Sequence, residues 1–148
     1  MFIQDLQSIF ERDLQKLKSE IELYRDENKL WYSEKGISNS AGNLCLHLIG
    51  NLNAYIGAEL GKTGYVRQRD LEFSLKDIPR KELVENIEAT IEVVNKSLAM
   101  VANEQLESDY AIMVFKEKVS TGLFLLHLAT HLSYHLGQIN YHRRLLDV

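Results

Sequence analysis

The sequence of 148 residues contains one cysteine, one proline and no apolar run long enough to span a membrane. The lone Cys45 cannot form an intramolecular disulfide. The first eight residues carry Asp5 but no basic cluster, apolar core or cleavage site. The most apolar region, 122–137, is interrupted by three histidines. We therefore predict a cytoplasmic protein with no transmembrane segment.

Charge of either sign is not concentrated anywhere along the chain. Seventeen basic and 21 acidic residues give a net charge of −4, and both signs are mixed throughout. The late basic pair, Arg143 and Arg144, is too small to form a nucleic-acid-binding stripe. An apolar content of 45% excludes a disordered chain. The length, with no repeat or flexible linker, predicts a single domain over 1–148.

Proline and glycine are so few that the apolar residues can be followed over long segments, where they recur at the helical period. Seven apolar residues from Ile3 to Tyr24 follow one another at steps of three or four, which predicts an amphipathic helix. A second helix is predicted from 38–40, where serine side chains suit an N-cap, to about Leu60.

Two further helices are predicted, each after a long connection. Pro79 is expected in the first turn of the third helix, and the last helix is predicted from about Ser120 to Leu146. The connection 62–78 is long for neighbouring helices, so we expect it to cross the bundle or cover a site. The sequence leaves the structure of 104–118 open. Together these elements predict an all-α, four-helix bundle.

Four of the five histidines fall on one face of the last predicted helix. His127, His131, His135 and His142 lie within roughly 80° of one another around the helix axis. The i, i+4 spacing allows either His127 with His131 or His131 with His135 to chelate one ion, and spacing does not choose between these pairs. His47, inside the second predicted helix, is the natural third ligand.

Three neutral imidazoles on a divalent ion leave a coordination position open for water or substrate, which is typical of catalytic metal sites. The Glu-x-x-His pattern of di-iron bundles and the HExxH pattern of zinc proteases are both absent. Nothing in the sequence indicates haem. Cys45 points about 160° away from His47 around the helix, so no fourth ligand is evident. The donor set accepts Zn, Ni or Fe, and copper as well.

Two segments carry a resemblance to a known family. The last predicted helix contains His127-Leu-Ala-Thr-His131-Leu-Ser-Tyr-His135-Leu-Gly-Gln-Ile, which resembles the last-helix motif of the DinB-like superfamily. The stretch from Asn43 through His47 to Gly-Asn51 is similar to the other motif of that superfamily. The resemblance spans essentially the whole chain and implies a bundle in up-down-down-up order, often a homodimer.

The resemblance also implies a site. Carried over by position, the metal ligands are His47, His131 and His135, and His127 becomes a neighbour of the site. Two amides one turn beyond a ligand, Asn51 and Gln138, are expected as hydrogen-bonding or substrate-contacting residues. Tyr55 and Tyr134 are expected to line the pocket. Ordinary polar and packing roles are the alternatives for these four side chains.

Members of the superfamily that have assigned activities resemble metal-dependent S-transferases that use bacillithiol or mycothiol, or glutathione-type isomerases. We therefore expect the ion to lower the pKa of a low-molecular-weight thiol, which then attacks a small electrophile. No catalytic side chain is assigned. The alternative is a non-catalytic metal-binding or stress-response interaction protein, in which the ion only joins two helices. A third possibility is a metal-free bundle with packing histidines.

Overall fold

The computed structural model describes residues 2–148, and its main elements are five α-helices. They are α1 (Phe2–Leu23), α2 (Ala41–Leu52), α3 (Arg69–Ser74), α4 (Arg80–Ala99) and α5 (Thr121–Leu146). Helix α1 packs against α4 and α5, while α2 packs against α3, α4 and α5. Within residues 2–148 there is no β-strand, only an isolated bridge between Asp109 and Ser120. The prediction of an all-helical fold is confirmed.

Helix α1 buries the apolar stripe that its sequence predicts. Every member of the stripe is buried: Ile3, Leu6, Phe10, Leu14, Leu17, Ile21 and Tyr24. The end of the helix is held by Arg80 at the start of α4. Its Nη1 donates hydrogen bonds to the carbonyl oxygens of Glu22 at 3.0 Å and Tyr24 at 2.8 Å. These bonds satisfy acceptors that a helix C-terminus leaves unpaired.

Helix α2 starts as predicted but ends earlier. The Oγ of Ser40 accepts a hydrogen bond from the backbone N–H of Asn43 at 3.2 Å, which caps the helix. The α-helix stops at Leu52 and continues as a wider π-helical segment, Asn53–Ala58. The Asn53 side chain donates to the Ile49 carbonyl at 2.8 Å, where the turn widens. The prediction of a helix to about Leu60 therefore agrees with the helical path as far as Ala58, but the second half is π-helical and not α-helical.

The long connection after α2 contains the short helix α3, which the sequence analysis missed. The amide of Asn43 donates to the carbonyl oxygens of Glu72 at 2.9 Å and Leu75 at 2.8 Å. A Cβ added at Gly50 would lie 1.9 Å from Oε2 of Glu72, so the glycine leaves room for this carboxylate against α2. Six residues make too short a helix to produce a recognisable apolar period.

The two remaining helices begin close to their predicted positions. Pro79 is the N-cap of α4 and precedes its first turn, which corrects the expected placement by one residue. The open stretch 104–118 is mostly irregular, with a 3₁₀ turn at Asn103–Glu107. Ser120 then caps α5, where its Oγ accepts from the N–H of Leu123 at 3.1 Å. No helix in the described part of the chain has both the length and the apolarity to cross a bilayer.

Candidate metal centre

Three histidine side chains from α2 and α5 converge between the two helices. His131 and His135 lie one turn apart on α5, so their rings project in the same direction. His47 faces them from the middle of α2, with only 7% of its surface exposed. One ligand atom from each residue can be chosen so that all three lie within 4.8 Å of one another. The three residues lie close enough to bind one metal ion.

The Nε2 atoms form the closest contacts of this cluster. Nε2 of His131 lies 3.1 Å from Nε2 of His47 and 3.1 Å from Nε2 of His135. Two imidazole nitrogens that bind one zinc ion at about 2.0–2.1 Å are roughly 3.3–3.4 Å apart in tetrahedral geometry. The two contacts with His131, at 3.1 Å, are close to this separation.

In two of the three histidines, His47 and His135, the ring nitrogen Nδ1 is hydrogen-bonded to a side-chain oxygen. Nδ1 of His47 donates a hydrogen bond to Oε1 of Glu72 at 3.0 Å. Nδ1 of His135 donates to Oε1 of Gln138 at 2.7 Å. A neutral imidazole with its proton on Nδ1 has a free lone pair on Nε2. Both acceptors therefore select the tautomer whose lone pair points into the cluster, as outer partners of metal-bound histidines do.

The third ring, His131, has no such acceptor. Its Nδ1 is buried without a hydrogen-bond partner among the described residues, and the same is true of Oδ1 of Asn51. Burying a polar atom without a partner is costly. Nδ1 of His131 is therefore the buried ring nitrogen of the three histidines that has no partner within residues 2–148.

Glu72 is held in place by Arg67, which precedes α3. The guanidinium donates from Nε to Oε2 at 2.9 Å and from Nη2 to Oε1 at 2.9 Å, so it binds the carboxylate at two points. Burial raises the pKa of Glu72, but the hydrogen bonds from His47 and Arg67 outweigh it and hold the pKa below its ordinary value. The carboxylate is therefore charged when it accepts the proton of His47.

The surroundings disfavour protonation of the two α5 ligands. Burial lowers the pKa of His131 to about 4, and the neighbouring imidazoles and Arg67 act in the same direction. Burial also lowers the pKa of His135, although its hydrogen bond with Gln138 opposes the change. Both rings therefore keep a nitrogen lone pair available for an ion near neutral pH.

The two other histidines of the α5 face lie outside the cluster. The ring of His127 is exposed, lies 4.8 Å from the Phe115 ring, and is 6.2 Å from the His131 ring. The ring of His142 is buried; its Nε2 donates to the Tyr32 carbonyl at 2.8 Å and its Nδ1 is 2.7 Å from the Tyr24 hydroxyl. Of the two pairs that spacing allowed, His131 with His135 joins His47.

The other residues singled out from the sequence lie at different distances from the cluster. Gln138 touches His135 directly, whereas Asn51 is buried with its oxygen unpaired. The Tyr134 ring lies 5.3 Å from the His135 ring and is 66% exposed. The Tyr55 ring packs edge-on against Phe124 and lies 5.6 Å from the guanidinium of Arg67.

Sequence reasoning missed Glu72 and Arg67. Both belong to the connection 62–78, which was expected to cross the bundle or cover a site, and both contact His47. No local spacing relates them to the histidines. The only available signal was the unusual length of the connection itself.

The donor set fits a borderline divalent ion. Three imidazole nitrogens suit Zn, Ni or Fe, and the cluster includes no thiolate or carboxylate ligand within residues 2–148. With three protein ligands, such a centre keeps a position for water or substrate.

Comparisons with known proteins give one match. A family model described as a protein of unknown function (DUF1572) matches residues 1–147. No curated protein and no solved structure matches the chain.

Proposed function

Because the chain belongs to the family described as a protein of unknown function (DUF1572), its activity must be inferred from its site, and we propose that it is a divalent-metal-dependent enzyme. The observation that carries this proposal is the orientation of the rings. Glu72 and Gln138 accept the Nδ1 protons of His47 and His135, and this leaves free lone pairs on the two Nε2 atoms that each lie 3.1 Å from Nε2 of His131. Acceptors on the outer nitrogens are typical of metal-bound histidines.

The proposal includes the DinB-like architecture, a four-helix bundle in up-down-down-up order. The contacts of α1 with α4 and α5, and of α2 with the same two helices, support it. The sequence motifs around His47 and His131 support the same interpretation. The homodimer implied by the resemblance stays a prediction, which light scattering on the purified protein would test.

We assign the reaction to thiol S-transfer with a low-molecular-weight thiol. A divalent ion in the cluster would supply a positive charge that lowers the pKa of a thiol ligand. The thiol loses its proton to solvent, its sulfur forms a bond to an electrophilic carbon, and the leaving group departs with the former bonding pair. The transfer needs no redox partner.

Arg67 supports a thiol that carries a carboxylate, as bacillithiol, glutathione and cysteine all do. Its side chain is 15% exposed and lies beside His47. Nε and Nη2 are used by Glu72, while Nη1 has no acceptor among the described residues. A guanidinium nitrogen in this position suits the carboxylate of a co-substrate.

Conjugation of monochlorobimane tests the proposal. Protein loaded with Zn, Ni or Fe is incubated with bacillithiol, glutathione or cysteine, and chloride-displacing conjugation is followed by fluorescence. We expect conjugation above the uncatalysed rate with at least one pair of thiol and metal, and loss of that rate after chelation and in His135→Ala. If no pair gives metal-dependent conjugation, the transferase proposal is overturned and the non-catalytic metal-binding protein becomes the better account.

A further inference from the structure

Beside His135, a cavity of about 480 Å³ opens between the second half of α5 and the loop before α2. Its walls include Ile37 and Asn39 on the loop, and Tyr134, Gln138 and Tyr141 on α5. Cavities of this size are typical of sites for small molecules. The ring of His135 forms part of the wall, so the cavity adjoins the metal centre directly.

The described lining of this cavity contains no lysine, arginine, aspartate or glutamate, although these residues make up 26% of the chain. A nearby guanidinium, that of Arg144, lies 5.3 Å from the Tyr141 ring but does not line the cavity. The lining side chains therefore offer no fixed opposite charge to a charged ligand, which would lose part of its hydration here. An uncharged ligand would avoid this cost.

Gln138 gives the cavity a directed hydrogen-bond donor. Its Oε1 accepts the proton of His135 at 2.7 Å, which fixes the amide so that Nε2 is the free end. Nε2 has no acceptor within residues 2–148, and Gln138 is exposed to the cavity. A ligand with a carbonyl oxygen can accept from this amide while its apolar body contacts Ile37 and the tyrosine rings.

We propose that this cavity binds the electrophilic co-substrate, and that this substrate is an uncharged carbonyl compound. The inference rests on the proposed function and adds the substrate class. The site then has two chemically different sides, with Arg67 suited to an anionic thiol and Gln138 to a neutral acceptor. For an α,β-unsaturated carbonyl, sulfur bonds to the β-carbon and the C=C electron pair moves towards the carbonyl oxygen. A proton from solvent, which replaces the one that the thiol released to solvent, adds to the α-carbon, so with this substrate the transfer is an addition without a leaving group.

Three probes of similar shape test the binding claim: 2-naphthamide is neutral with a carbonyl, 2-naphthoate is anionic, and naphthalene lacks an acceptor. Dissociation constants are measured by titration with the protein as purified and after chelation. In the chelated protein, where no ion attracts the carboxylate, we expect 2-naphthamide to bind at least about tenfold more tightly than 2-naphthoate, because only the anion loses hydration of a charge. Gln138→Leu is expected to weaken 2-naphthamide about three- to tenfold and to leave naphthalene unchanged.

A glutamate introduced into the cavity wall gives a second test, with a matched control variant outside the cavity. Ile37→Glu is expected to weaken 2-naphthamide at least about tenfold, whereas Ile112→Glu, at a residue of nearly equal exposure (40% against 39%) outside the lining, leaves it unchanged. The inference is overturned if 2-naphthamide and 2-naphthoate bind equally tightly, or if Ile37→Glu has no effect on binding. It is also overturned if a second copy of the chain closes the cavity, so that none of the three probes binds. If the wild-type protein retains no divalent ion after loading and still binds 2-naphthamide, the proposed function is contradicted while this inference stands.

Discussion

The carboxylate of Glu72 accepts a hydrogen bond from Nδ1 of His47 at 3.0 Å, and this contact joins the crossover connection to the metal centre. Arg67 holds the same carboxylate at two points, and Glu72 is only 6% exposed. Because the hydrogen bond fixes the ring and its tautomer, we expect the connection to contribute to metal affinity without supplying a ligand.

Replacing Glu72 with glutamine tests this link. The amide keeps one oxygen acceptor but loses the charge that strengthens the bond with His47 and binds Arg67. We expect Glu72→Gln to lower zinc affinity about 10- to 100-fold, measured by competition with a fluorescent chelator. Glu92→Gln, at an exposed position of α4, is the control and should match the wild type. Equal affinities for all three proteins would remove Glu72 from the account.

Two glycines offer a matched test of how closely the carboxylate of Glu72 packs against α2. A Cβ at Gly50 would lie 1.9 Å from Oε2 of Glu72, whereas a Cβ at Gly137 meets nothing within 4 Å. We expect Gly50→Ala to lower the free energy of unfolding by about 1–3 kcal/mol in urea titrations, because a buried carboxylate must move. Gly137→Ala should raise it by up to about 1 kcal/mol through helix propensity. Similar shifts for both variants would argue against the observed packing.

The single cysteine is predicted to be inert in the folded protein. Cys45 is fully buried, and burial raises the pKa of its thiol to about 12. Because the thiolate is the reactive form, a chromogenic disulfide reagent should leave native protein unmodified and label one thiol per chain in denaturant. Rapid labelling of native protein would show that Cys45 is accessible and could serve as the thiol of the reaction.

Much of the fold was predictable because its signals are local. The stripe from Ile3 to Tyr24 repeats at the helical period, and all of it is buried. The choice of His135 as a partner of His131 came from motif resemblance, since spacing allowed His127 equally. Glu72 could not be predicted in the same way, because it reaches His47 only through the folding of the connection between α2 and α4, which packs α3 against α2.

The end of α5 provides a pH-dependent prediction. Asp147 accepts hydrogen bonds from the backbone N–H groups of Arg25 at 2.6 Å and Asp26 at 3.1 Å. Burial alone would raise the pKa of Asp147, but these bonds outweigh it and lower the pKa below its ordinary value. A lowered carboxylate pKa stabilises the folded state above about pH 4, and this contribution is lost as the pH falls further.

Asp147→Asn isolates that contribution. In urea titrations of metal-free protein, the wild type should exceed the variant by about 1–3 kcal/mol at pH 7, because a charged acceptor is replaced by a neutral one. The difference should shrink as the pH approaches 3. A difference that is constant across this range would assign the effect to packing instead of charge.

The most direct test of the metal centre is the metal content of protein purified without a polyhistidine tag, after loading with zinc and removal of free ion. We predict one ion per chain in the wild type and in His127→Ala, whose ring lies one turn before the cluster and outside it. His47→Ala, His131→Ala and His135→Ala should each retain little or none, because each removes one of three ligands. Unchanged content in these three variants, or equal loss in His127→Ala, would contradict the proposed centre.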